Sequence, residues 1–129
     1  MEAVAAGITA AVAAYVINKV MIRIFGNIAL TTIIPIFEEA FKSFIPALMG
    51  TSLLLSHITF GVLEAAYEMF TSKGRGAYLG AVVSFFSHYL LGTFTLFLIY
   101  ITGSLILSIF GAAFLHILWN RMVAGVYTR

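Results

Sequence analysis

The chain alternates long apolar runs with short polar breaks. Each run is close to the 20 or so residues that a helix needs to cross a hydrocarbon core about 30 Å thick. The pattern predicts five helices, over about residues 3–22, 27–49, 52–71, 77–100 and 104–122. Lys19 and Arg23 close the first run, Gly26-Asn27 opens the second and Gly50 closes it. The segment Thr71-Ser72-Lys73-Gly74-Arg75-Gly76 follows the third, and Thr102-Gly103-Ser104 separates the fourth from the fifth. Glycine clustered with small polar residues is the usual punctuation between periodic segments. The expected fold is all-α: a polytopic membrane helical bundle of about five transmembrane helices, forming one domain over residues 1–129, with no internal repeat.

Composition agrees with this pattern. Of 129 residues, 62% are hydrophobic and 9% are charged, whereas a soluble domain carries about 25% charged residues. Such a chain lacks the side chains to cover a water-facing surface. There is no cysteine, which excludes disulfides, thiolate metal sites and cysteine nucleophiles. All five acidic residues are glutamate, which excludes a paired-aspartate protease. Met1-Glu2 and the Ala-rich stretch after it lack the basic start of a signal peptide, so the first run is expected to be a retained helix. No lipidation motif is present, and no basic arm or patch suits nucleic acid.

The basic residues bear on orientation. An external N-terminus puts Lys19, Arg23, Lys73, Arg75, Arg121 and Arg129 on the cytoplasmic side, which is six of the seven. Cytoplasmic loops favour Lys and Arg. The expectation is therefore N-out, C-in, as a multi-pass protein of the cell membrane.

The seventh basic residue, Lys42, lies within helix 2, beside Glu38 and Glu39 in Phe37-Glu38-Glu39-Ala40-Phe41-Lys42. A charge at the bilayer centre costs at least about 2.5–3.5 kcal/mol. Helix 3 adds Glu64, helix 4 adds His88, and helix 5 adds His116 and Asn120. Glu38 and Lys42 are one turn apart and are expected to pair. Glu39, rotated by about 100°, is expected to face another neighbour. At about 1.5 Å per residue, Glu38, Glu64, His88 and His116 all fall between the cytoplasmic interface and the midplane. Helix 1 carries none of these groups and is expected to be peripheral support.

Four motifs on successive helices then carry a resemblance: Glu38-Glu39-x-x-Lys42, Phe60-x-x-x-Glu64, His88-x-x-x-Gly92 and His116-x-x-Trp119-Asn120. Together they resemble the PrsW family of intramembrane proteases, in one superfamily with type II CAAX prenyl proteases, their Abi relatives and the non-catalytic Aph scaffold subunits. CAAX proteases usually show Arg at the position of Lys42 and His at that of Glu64; this chain has the PrsW-like residue at both. The resemblance covers about residues 37–120.

It implies an intramembrane endopeptidase acting on membrane proteins or membrane peptides. Peptide hydrolysis needs an activated water and donors for the oxyanion. In this reading Glu38 or Glu39 is the general base, and His88 holds the attacking water. His116 and Asn120 stabilise the oxyanion, Lys42 keeps one glutamate ionised, and Glu64 orients the second glutamate or a histidine. A metal version is equally open: Glu39, His88 and His116 would supply three ligands to an ion such as zinc, leaving one position free. Two other functions compete, a non-catalytic scaffold subunit within a larger membrane complex or oligomer, and a small proton- or ion-conducting protein.

Several features have plainer readings. Glu38 with Lys42 would serve equally as a register-fixing buried pair, and His88 as an interhelical hydrogen bonder. Glu68 reads as interfacial. His57, near the external end of helix 3 and off the common depth, is read as outside the site. Pro35 suggests a kink beside the glutamates, and Gly61, Gly80 and Gly92 suggest close helix approaches.

Overall fold

The computed structural model describes residues 1–71 and 75–127, except the side chains of 75 and 125–127. Lys73 and Arg129, on which the orientation partly rests, lie outside the described residues. Helix α1 spans Glu2–Phe25 and is followed by a 3-10 segment, Gly26–Thr31. Then come α2 (Ile33–Leu48), α3 (Leu53–Thr71), α4 (Arg75–Thr102) and α5 (Leu105–Tyr127). Among the described residues there is no strand.

The second predicted helix needs correction. Residues 27–49 are not one helix: α2 begins only at Ile33. Asn27, Thr31 and Thr32 are weak helix formers, and Pro35 has no N–H to give the Thr31 carbonyl. The chain therefore leaves α1 at Gly26, where φ is +65°, turns through the 3-10 segment and restarts. Pro35 ends up in the first turn of α2, where a missing N–H costs nothing. It marks the start of a helix and kinks nothing.

The 16 residues of α2 measure about 24 Å at 1.5 Å per residue. Among the described residues four helical stretches are long and apolar enough to cross a membrane: Glu2–Thr31, Leu53–Thr71, Gly76–Thr102 and Leu105–Ala124. Length and composition of this kind are consistent with an integral membrane protein. Helix α2 carries Glu38, Glu39 and Lys42 and falls outside that set.

Contacts define an up-and-down arrangement. Gly7 meets Thr59 and Tyr15 meets Tyr67, so α1 and α3 run parallel. Pairs 57/92, 61/88 and 68/80 make α3 and α4 antiparallel. Glu39 with His116 and Leu30 with Asn120 make the 3-10 segment and α2 together antiparallel to α5.

Burial is inverted relative to a soluble protein. The buried set includes Glu38, Glu39, Lys42, Ser43, Ser56, His57, His88, Thr95, Ser108 and His116, while Phe70, Leu48, Phe110 and Phe114 are exposed. Lipid tolerates apolar side chains, so the apolar gain of burial is lost, and small residues and interhelical hydrogen bonds hold the helices together. Ala3, Ala6, Gly7, Ala10 and Ala14 form the buried face of α1. Helix α2 shows the inversion most clearly. Its buried stripe at helical spacing is Ile34, Pro35, Glu38, Glu39, Lys42, Ser43 and Pro46; its charged face points inward.

Candidate functional site

The inward face of α2 is the centre of a cluster to which every helix contributes. Lys42 pairs with Glu39, Nζ to Oε1 at 2.6 Å, and both side chains are fully buried. This corrects the expected Glu38–Lys42 pair: the partner lies three residues back, not four. The ammonium also sits 3.0 Å from His88 Nδ1 and 4.5 Å from the centroid of the Phe60 ring. An ammonium can only donate, so His88 Nδ1 accepts. The ring's Nε2–H is then left to donate to Glu64 Oε2, its close partner.

Glu64 also accepts a hydrogen bond from Ser84 Oγ at 3.0 Å. Its side chain is 41% exposed, so this end of the chain of contacts reaches the surface. Phe60 meets the His88 ring edge-on at 5.1 Å between centroids. The motif pair Phe60 and Glu64 thus holds His88 by its face and by its Nε2. Gly61 makes room: a Cβ there would lie 2.9 Å from the His88 Cβ.

His116 is wedged between the two glutamates. Its Nδ1 lies 2.9 Å from Glu39 Oε1, and since a carboxylate only accepts, Nδ1–H donates. Its Nε2 faces Glu38 Oε2 at 3.8 Å, beyond a direct hydrogen bond and within reach of one shared water. The expectation that Glu39 faces a different neighbour from Glu38 is therefore met only in part: both meet His116, and Glu39 alone meets Lys42.

The other oxygen of Glu38, Oε1, accepts a hydrogen bond from Asn18 Nδ2 at 2.9 Å. Asn18 belongs to α1, so that helix is not peripheral. A single amide in an otherwise apolar span was the sequence signal for it. Asn120 lies apart from the glutamates and donates from Nδ2 to the Leu30 carbonyl at 3.0 Å, tying α5 to the 3-10 segment. His57, read as outside the site, is fully buried with Nδ1 3.9 Å from Glu39 Oε2. A depth count from helix ends fixes height along one helix and not which face meets a neighbour, so it could not place His57.

The proposed ligand set of Glu39, His88 and His116 does not fit a metal. Among the described residues no three His or Glu side chains are grouped to hold an ion. The Lys42 ammonium touches both Glu39 and His88, where it would repel a cation. The arrangement suits proton transfer: carboxylates and imidazoles in contact, one ammonium among them, and Glu38, Glu39, Lys42, His88 and His116 all buried.

Against known proteins, the chain matches no family model, no curated protein and no solved structure.

Proposed function

We propose that this protein is a metal-independent intramembrane endopeptidase of the PrsW type, with Glu38 as general base. The observation that carries the reading is the facing pair Glu38 Oε2 and His116 Nε2, 3.8 Å apart. Because His116 donates from Nδ1 to Glu39, its neutral ring presents a lone pair at Nε2. Two acceptors facing each other orient a water by both hydrogens and leave its oxygen lone pairs free to attack. Glu38 takes the water's proton as the oxygen adds to the scissile carbonyl. It returns that proton to the amide nitrogen as the C–N bond breaks, so acid and free amine leave in balance. Lys42 and Glu39 fix the ring orientation.

In this reading the protein lies N-out, C-in in the cell membrane, with the 3-10 segment and α2 together serving as one crossing arm. The antiparallel order of the helices and the basic residues at Lys19, Arg23 and Arg121 support it. Substrates are membrane proteins or membrane peptides.

A continuous run of contacts, Glu64–His88–Lys42–Glu39–His116, favours a second reading as a proton relay. Liposomes carrying the purified protein and a library of membrane-spanning peptides distinguish the two. The protease reading expects cleavage that falls at least about 100-fold in Glu38→Gln, the scale of general base catalysis, and that chelators leave unchanged. Cleavage surviving Glu38→Gln sinks that assignment. Proton flux without cleavage, lost in His88→Phe, supports the relay instead.

A further inference from the structure

Glu39 is hydrogen-bonded at one of its two oxygens. Its Oε1 is engaged by Lys42 and His116; its Oε2, fully enclosed, has no hydrogen-bond partner among the described residues. His57 Nδ1 is likewise buried and unpartnered, and the two atoms face each other at 3.9 Å. Buried polar atoms are almost always satisfied. This separation is too long for a direct hydrogen bond and suits one bridging water.

The ring has a seat formed by two other helices. Ser43 Oγ of α2 lies 3.4 Å from its Nε2. Gly92 of α4 lies beneath it: a Cβ at that position would come within 2.7 Å of His57 Cβ and 2.9 Å of Cγ. The glycine leaves space for this imidazole to point its Nδ1 at the central carboxylate.

We propose that His57 is a positioning residue for Glu39, holding its second oxygen through a single bridging water. The Ser43 hydroxyl donates to Nε2, and Nδ1–H donates to the water, which donates to Glu39 Oε2. Glu39 is then anchored at both oxygens and keeps His116 turned towards Glu38. The catalytic consequence rests on the hydrolytic reading above; the anchoring itself does not.

The test uses full-length protein with isotope-labelled histidine in lipid nanodiscs, together with the peptide cleavage assay. Nitrogen NMR is expected to find His57 in its Nδ1-protonated tautomer, with the His57 and His116 signals both moving in Glu39→Gln. His57→Phe should lower the cleavage rate about 10- to 100-fold, as expected for a misplaced catalytic group, at unchanged KM and with a shifted His116 signal. His57→Asn, whose amide replaces Nδ1, should recover most of that loss. Gly92→Ala, which displaces the ring without removing it, should act like His57→Phe. An Nε2-protonated His57 that ignores Glu39→Gln overturns the proposal, as does a His116 signal unmoved by His57→Phe. If His57→Phe fails to fold, the wild-type tautomer and Gly92→Ala still decide. If the wild type cleaves nothing, the hydrolytic reading falls, and the tautomer with its coupled shifts still tests the anchor.

Discussion

Asn18 donates to Glu38 across 2.9 Å, joining α1 to the glutamate whose other oxygen faces His116. A side-chain hydrogen bond between membrane helices averages about 0.6 kcal/mol, because the separated helices also find partners. Its value to the fold is therefore small, and its value to the aim of Glu38 can be large. Asn18→Leu is expected to lower thermal stability in micelles by about that amount and, on the proposed hydrolytic reading, to slow peptide cleavage about tenfold. A stability loss of several kcal/mol with unchanged cleavage would show that the bond serves the fold alone.

The Lys42–Glu39 pair is enclosed on all sides, so removing either partner leaves an uncompensated charge. Lys42→Met or Glu39→Gln alone should each destabilise by about 3–5 kcal/mol. The double variant should cost less than the sum, with a coupling of about 0.5–3 kcal/mol. Unfolding with increasing SDS in mixed micelles measures all four corners. Strict additivity would mean that the two groups do not sense each other.

Gly61 gives a sign test. In an unobstructed helix, Gly→Ala stabilises by about 1 kcal/mol. Here the new Cβ would lie 2.9 Å from the Cβ of His88, on the facing helix, so α3 and α4 must separate. Gly61→Ala is expected to destabilise by about 1–3 kcal/mol and to shift the His88 signal in the NMR spectrum. A gain in stability would show that the two helices are further apart than described.

Orientation can be read directly, because the chain has no cysteine to interfere. Ser52 and Arg121 are both exposed and lie on opposite sides of the membrane in the N-out arrangement. A membrane-impermeant maleimide is expected to label Ser52→Cys on intact cells, and Arg121→Cys only after permeabilisation. The reverse pattern would turn the protein over.

The helices α1, α3, α4 and α5 were legible because backbone in hydrocarbon must satisfy its own hydrogen bonds, so a run of 20 apolar residues has few alternatives to a helix. The break before α2 was harder to see. Ile33, Ile34 and Ile36 keep the region apolar, and hydropathy does not register a proline that withholds one hydrogen bond from Thr31. Residues Glu38, Glu39, Lys42, Glu64, His88 and His116 stood out because each is costly in an apolar span. Asn18 and His57 did not, since a single amide or imidazole near a helix end has an ordinary explanation.

The sequence by itself determined that the chain forms apolar helices and that a few titratable groups sit among them, both being local consequences of composition and period. Only the tertiary structure decided which groups meet. The turn of 100° per residue separates Glu38 from Glu39, and whether Lys42 takes one or the other depends on where α3 and α4 stand. Their positions depend in turn on glycines, Gly61 beneath His88 and Gly92 beneath His57, that let two helices approach within a side chain's width. A hydrogen bond is decided within a few tenths of an ångström, and that distance belongs to the assembled helices and not to any one of them.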